Sequence, residues 1–127
     1  MAETDETGNT LGAAASSAGT VTLEDRDGTA VLRIDGALDL ALAPKLRQLA
    51  ERAARLAPAV LVIDLTGVTF LASAGMAVLI GCHQQAKGNI RFRSVATGSA
   101  TFRPMELTGM TEEISIYHTR DEALAAD

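Results

Sequence analysis

Ala59 to Ile80 reads AVLVIDLTGVTFLASAGMAVLI. From Val60 to Leu65 the run is apolar and β-branched, the pattern of a strand covered on both faces. It ends at Asp64 and Leu65, a short turn follows, and Ser73 opens an almost wholly apolar helix from about Ala74 to Ala86. Gly88-Asn89 marks the end of that helix. A buried strand feeding a helix in this way predicts a sheet with a parallel part and helices packed on it.

Working outward, the period turns helical before this stretch. Leu42, Leu46, Leu49, Ala50, Ala53 and Leu56 recur at three- and four-residue steps, with Lys45, Arg47, Glu51, Arg52 and Arg55 opposite. Pro44 falls in the first turn, where its missing N–H costs little, and Pro58 closes the helix. Val21-Thr22-Leu23 alternates, Asp27-Gly28 makes a turn, and Thr29 to Asp35 alternates again, which predicts a β-hairpin. Gly36-Ala37-Leu38-Asp39 leads out of it. On the C-terminal side, Ile90 to Val95 is an alternating strand, Ser99 to Thr108 holds a short helix that Pro104 delays or kinks, and Gly109 ends it. Ile114 to Tyr117 is a further strand, and Thr119 caps a last helix from Asp121 to Ala125. The predicted order is ββαβαβαβα, an α/β fold with a mixed sheet.

Composition narrows the function. The chain has 127 residues, suited to one domain, and 47% are hydrophobic. With 3% aromatics and no Trp the core must be aliphatic. A net charge of −5 argues against nucleic acid, which asks for a surplus of Lys and Arg. The single cysteine, Cys82, cannot form an internal disulfide and fits a reducing cytoplasm. No apolar run reaches the roughly 18 residues of a membrane span. Residues 1–20, MAETDETGNTLGAAASSAGT, are small, polar and acidic, and read as a flexible tail ahead of a domain over residues 21–127.

Ser73 has two physical readings. Its hydroxyl can cap a free N–H of the first helical turn. The same end of a helix suits a phosphoserine, because unpaired N–H groups and the helix dipole favour a dianion there. Phosphorylation would then spoil a surface meant for an apolar or acidic partner while leaving the fold intact. Ala74 to Ile80 carry no charge, so part of that helix either packs inward on all sides or leaves an apolar contact surface beside Ser73, with Met76 the adaptable contact. Asp39 and Asp64 read as loop- and turn-fixing carboxylates, with partner contact the sharper reading of Asp39 and a ligand or catalytic acid that of Asp64.

A hydrolase reading is weaker. Ser73-Ala74-Gly75 matches the second half of a G-x-S-x-G elbow, but Leu71 replaces the first glycine, and the strand is expected to end well before Ser73. His83 lies two and a half turns along the same helix, and His118 ends a strand. No phosphate-cradling glycine loop and no metal-spaced cluster occurs, so neither cofactor nor metal is expected.

The segment VIDLTGVTFLASAGMAVLIGC (residues 62–82), with IDGALD (residues 34–39) before it and ELTGM (residues 106–110) after it, resembles the STAS domain of bacterial anti-sigma factor antagonists. LASAG and TGSATFRP look most like actinobacterial members. The resemblance implies a mixed, partly parallel sheet with about four helices, most on one face. It implies a non-enzymatic protein that binds an anti-sigma factor, typically a serine kinase, and so releases a sigma factor. Ser73 matches the phosphorylated serine, a phosphatase would restore the binding form, and Ala72, Ser73, Ala74, Gly75, Met76 and Asp39 are the expected partner-binding residues. Two departures stand out: Ala72 where the family often has Asp, and Ala74 where it often has Ser. The competing expectation is a STAS module that binds a small ligand or lipid, or supports a larger assembly, without a phospho-switch. A closed pocket lined by Val and Leu would favour the ligand, a flat surface around Ser73 the partner.

Overall fold

The computed structural model describes residues 9–86 and 90–126. The residues expected to stop the second helix, Gly88 and Asn89, lie outside them. Six strands and four helices follow one another as β1 (Asn9–Ala15), β2 (Gly19–Arg26), β3 (Thr29–Leu38), α1 (Ala43–Arg55), β4 (Val60–Leu71), α2 (Ser73–Gln85), β5 (Arg91–Val95), α3 (Phe102–Leu107), β6 (Ser115–Tyr117) and α4 (Arg120–Ala125). A single 3-10 turn, Met110–Glu112, follows α3.

The strands lie in sequence order across one sheet, β1 to β6. β1, β2 and β3 are antiparallel; β3, β4, β5 and β6 run parallel. The hairpin turn is the expected Asp27-Gly28, both residues at positive φ (53° and 87°), the geometry whose twist matches two right-twisted strands. Alternation then sorts the side chains. Val21, Leu23, Leu32, Ile34, Leu61 and Ile63 face the layer formed by α1, α2 and α3. Val31, Val62 and Val95 face α4 through Ala123. Three helices on one face and one on the other is the expected STAS arrangement.

Two expectations fail, both for tertiary reasons. The tail expected over residues 1–20 is strand from Asn9 onward, so the ordered domain does not begin at Val21; residues 1–8 are not among those described. β1 is built from small side chains whose backbone pairs with β2, with Leu11 and Ala14 packed on the core. Ser16 shapes the turn between them, its Oγ accepting from the N–H groups of Ala18 (3.3 Å) and Gly19 (3.2 Å).

The strand expected to stop at Leu65 runs on to Leu71. β3 is long enough to continue alongside it, Asp35 opposite Gly67 and Leu38 opposite Leu71, with two register shifts on the way. Gly67 looks like a turn residue but lies within the strand, with the Asp35 carboxylate resting over it. This extension delivers the chain directly to the start of α2.

Candidate functional site

Ser73 sits where β4 passes into α2, at the end of the sheet to which the parallel strands point. Ala72 is the N-cap residue, in extended conformation (φ −79°, ψ 161°), and its N–H donates to Leu38 O at 3.0 Å. Ser73 is therefore the first helical residue, not the cap, and its hydroxyl makes no hydrogen bond among the described residues. The capping role expected for it is not observed, because the β-to-α transition falls one residue earlier. The first backbone bond into the helix runs from Met76 N to Ala72 O (3.1 Å). That leaves the N–H groups of Ser73, Ala74 and Gly75 ahead of the intrahelical ladder.

The apolar start of α2 divides by face. Gly75, Val78, Leu79 and Cys82 are buried against the sheet and α1, while Ser73 and Ala77 are exposed and Met76 and Ile80 half-buried. A contact surface beside Ser73 is thus open, and the all-round packing alternative is excluded. Gly75 belongs to the interior: a Cβ there would lie 2.6 Å from Leu38 Cγ. It is therefore not on the exposed face with Ser73 and Ala77, since the helix can come this close to β3 only by turning that position inward.

Ser73, Met76, Ala77 and Ile80 form one wall of a groove of about 330 Å3. Their spacing is that of one helical face, about 10 Å long. Thr108, Gly109, Met110 and Glu113 form the other wall. Gly109 takes a left-handed φ of 81° to end α3 and swing Met110 inward. Thr108 Oγ1 lies 3.8 Å from Met76 Sδ across the groove, while its hydroxyl donates to Pro104 O at 2.9 Å. ELTGM was legible as a motif, but nothing in it said that it would face Ser73. The groove is open, not a closed pocket lined by Val and Leu. Three large apolar side chains near the strand and helix ends are exposed to water: Leu40 (77% exposed) just after β3, Phe70 (56%) near the end of β4, and Leu107 (72%) beside Thr108. Leu40 and Phe70 follow from the same strand ends that deliver Ser73.

The other singled-out residues go elsewhere. Asp39 caps the approach to α1, its Oδ1 accepting from Leu42 N–H (2.9 Å) and its carbonyl from Ala43 N–H (2.9 Å). Asp64 is buried within β4 and does not fix a turn. Its Oδ1 accepts from the N–H (2.9 Å) and hydroxyl (2.7 Å) of Thr66, and its Oδ2 from Arg120 Nε (2.9 Å). Burial alone would raise its pKa; the Thr66 hydrogen bonds and Arg120 outweigh this and hold the carboxyl below its ordinary value. Cys82 is a packing residue, its thiol pushed up to about 11 by burial. His83 rests on Phe92 (ring centroids 5.9 Å apart) and His118 on Phe102 (5.7 Å), and neither lines the groove with Ser73. The strand does reach Leu71, so the distance argument against a nucleophile elbow lapses. The missing first glycine still stands against it, and neither histidine shares the groove with Ser73. No helix among the described residues is long and apolar enough to cross a membrane.

Comparison with known proteins gives this geometry a family. The STAS domain model matches residues 20–123. The anti-sigma-F factor antagonist RsfB of Mycobacterium tuberculosis is 37% identical over 105 residues, 83% of this chain and 86% of that protein. A crystal structure of an anti-sigma factor antagonist from Mycobacterium paratuberculosis superposes with a TM-score of 0.81 at 37% identity, covering 87% of this chain and 94% of that one. The anti-sigma factor antagonist SpoIIAA in its unphosphorylated form shares the fold, with a TM-score of 0.66 at 18% identity over 82% of this chain and 92% of its own. A STAS sheet of six strands, ending in an exposed serine at the head of an apolar helix, places this chain in the STAS family of anti-sigma factor antagonists.

Proposed function

We propose that this protein binds an anti-sigma factor of the serine-kinase type through the surface around Ser73, and so frees a sigma factor in the cytoplasm. Phosphorylation of Ser73 by that kinase ends the binding, and a phosphatase restores it. The protein is then a substrate and a binding module, not a catalyst. The observation that carries this reading is an exposed hydroxyl, without a hydrogen bond among the described residues, on the wall of an open apolar groove. Exposed apolar clusters of this kind mark contact sites.

The physics of the switch follows from position. A phosphoryl group adds roughly −1.5 to −2 charges. The N–H groups ahead of the helical ladder and the positive end of α2 tolerate it, so the fold persists. A partner side chain resting on the apolar surface would instead have to strip water from a dianion. Neither Ala72 nor Ala74 has a side-chain donor for the phosphate, so at the helix start that role falls to backbone N–H groups.

A pull-down from host lysate with wild-type and Ser73→Glu protein, followed by mass spectrometry of the bound proteins and of Ser73, tests this. Wild type should hold a kinase-like anti-sigma factor and carry phosphate at Ser73. The Glu variant should bind that partner at least about tenfold more weakly, or about 1.4 kcal/mol. Equal capture by both forms, with Ser73 never phosphorylated, would sink the switch.

A further inference from the structure

The two walls of the groove differ in charge. From Ser73 to Gly81, α2 carries no ionisable side chain. The segment that forms the opposite wall, Phe102 to Ile114, carries Glu106, Glu112 and Glu113, all exposed, with Arg103 its one basic residue. Glu113 lines the groove itself. None of these carboxylates takes part in an ion pair among the described residues. Leu107, 72% exposed, belongs to the same segment. An open apolar groove lined by the unpaired Glu113, on a wall drawn from an acidic segment, is complementary to an apolar side chain flanked by a cation.

We propose that the α2–α3 groove receives an apolar side chain of the anti-sigma factor with a neighbouring Lys or Arg, whose cation pairs with Glu113. This rests on the reading of Ser73 as the switch of the same surface, and adds what the surface selects: a basic, amphipathic segment. A second copy of this chain is a poor occupant. An isologous pairing sets each acidic wall against its own image or against uncharged α2, and the chain carries −5 overall.

The proposal separates two effects that would otherwise look alike. A phosphate at Ser73 has the same sign as Glu113, so it cannot expel a basic segment by charge repulsion. It acts through hydration of the apolar contact, which added salt leaves largely in place. The Glu113 contribution is electrostatic and fades as salt screens it.

The test is calorimetric titration of the anti-sigma factor captured by wild type into wild type, Glu113→Lys, Ser73→Glu and Glu51→Lys, at about 50 and 300 mM salt. Glu51, exposed on α1, supplies the same change in net charge away from the groove. Glu113→Lys should weaken binding at least about tenfold at low salt, the deficit shrinking to about threefold or less at high salt. Ser73→Glu should lose binding at both, and Glu51→Lys should stay within about threefold of wild type. Unchanged thermal melting of Glu113→Lys checks that it folds. Wild-type affinity in Glu113→Lys, with Ser73→Glu still defective, overturns the groove assignment and leaves the switch standing. Equal losses from Glu113→Lys and Glu51→Lys reduce the effect to net charge and overturn it as well. If wild type captures no anti-sigma factor, the functional reading fails and the groove assignment fails with it.

Discussion

Gly75 and Gly81 lie on the same helix, and in sequence they are equivalent: small residues in an apolar run. In the folded chain they are not. A Cβ at Gly81 meets nothing within 4 Å, whereas one at Gly75 would lie 2.6 Å from Leu38 Cγ and 3.1 Å from Leu71 Cδ1. Alanine improves helix propensity by about 1 kcal/mol at either position. At Gly75 overpacking costs about 1–3 kcal/mol and wins, because the obstacle is a branch point on a buried side chain. Gly81→Ala should therefore stabilise the protein by about 0.5–1 kcal/mol and Gly75→Ala should destabilise it, both read from urea denaturation. Two shifts of the same sign would refute this account of the α2–β3 contact. Ser73 teaches the same lesson: a serine before an apolar run reads as a cap, and only the register of the strand before it shows that Ala72 holds that place.

At the scale of the element, α4 is too short to be stable alone, with six residues. It is fastened at both ends. Thr119 Oγ1 accepts from Glu122 N–H (3.1 Å), the cap legible from sequence. The buried Arg93 donates to Ala123 O (2.8 Å), near the helix C-terminus where a cation is favoured. Arg120 bridges to Asp64 and, at 3.4 Å, to Glu24. Asp64 titrates below its ordinary value, so between the two pKa values the unfolded chain binds more protons than the folded one. Its stabilising contribution is complete above the unfolded pKa of about 3.9 and is lost as pH falls through the lower folded value. Asp64→Asn should cost about 2 kcal/mol at neutral pH, since it leaves Arg120 with only its longer partner. It should also lose less stability than wild type between neutral pH and about pH 3. Urea denaturation at several pH values reads both effects; parallel acid limbs would show that Asp64 is not the group responsible.

Over the whole molecule, the sheet keeps the order of the chain, with its antiparallel hairpins at one edge and its parallel strands beside the functional end. β1 closes the hairpin edge. Gly12 lies close under Leu49 and Arg52 of α1, a Cβ there falling 3.0 Å from Leu49 Cδ2, and Lys45 Nζ donates to Ala15 O. Removing residues 1–15 should thus lower stability by about 2 kcal/mol, through exposure of Leu11 and Ala14 and of the α1 surface beneath them. A truncated protein as stable as the full chain would restore the picture of an inert tail.

Legibility divides along a physical line. The amphipathic face of α1, the start of β4, the apolar character of α2, the Asp27-Gly28 hairpin, the Thr119 cap and the family motif around Ser73 were all determined by sequence alone. Each is written within a few neighbouring residues as periodicity, turn chemistry or a short pattern. Tertiary structure alone decided that Asn9–Ala15 is a strand, that β4 continues to Leu71, and that Thr108 to Glu113 completes the groove beside Ser73. It alone joined Asp64 to Arg120, 56 residues away. Periodicity states which side of an element is apolar, but not which distant element will cover it. β1 has almost no apolar signal of its own, and becomes a strand only because β2 offers its edge and α1 its surface.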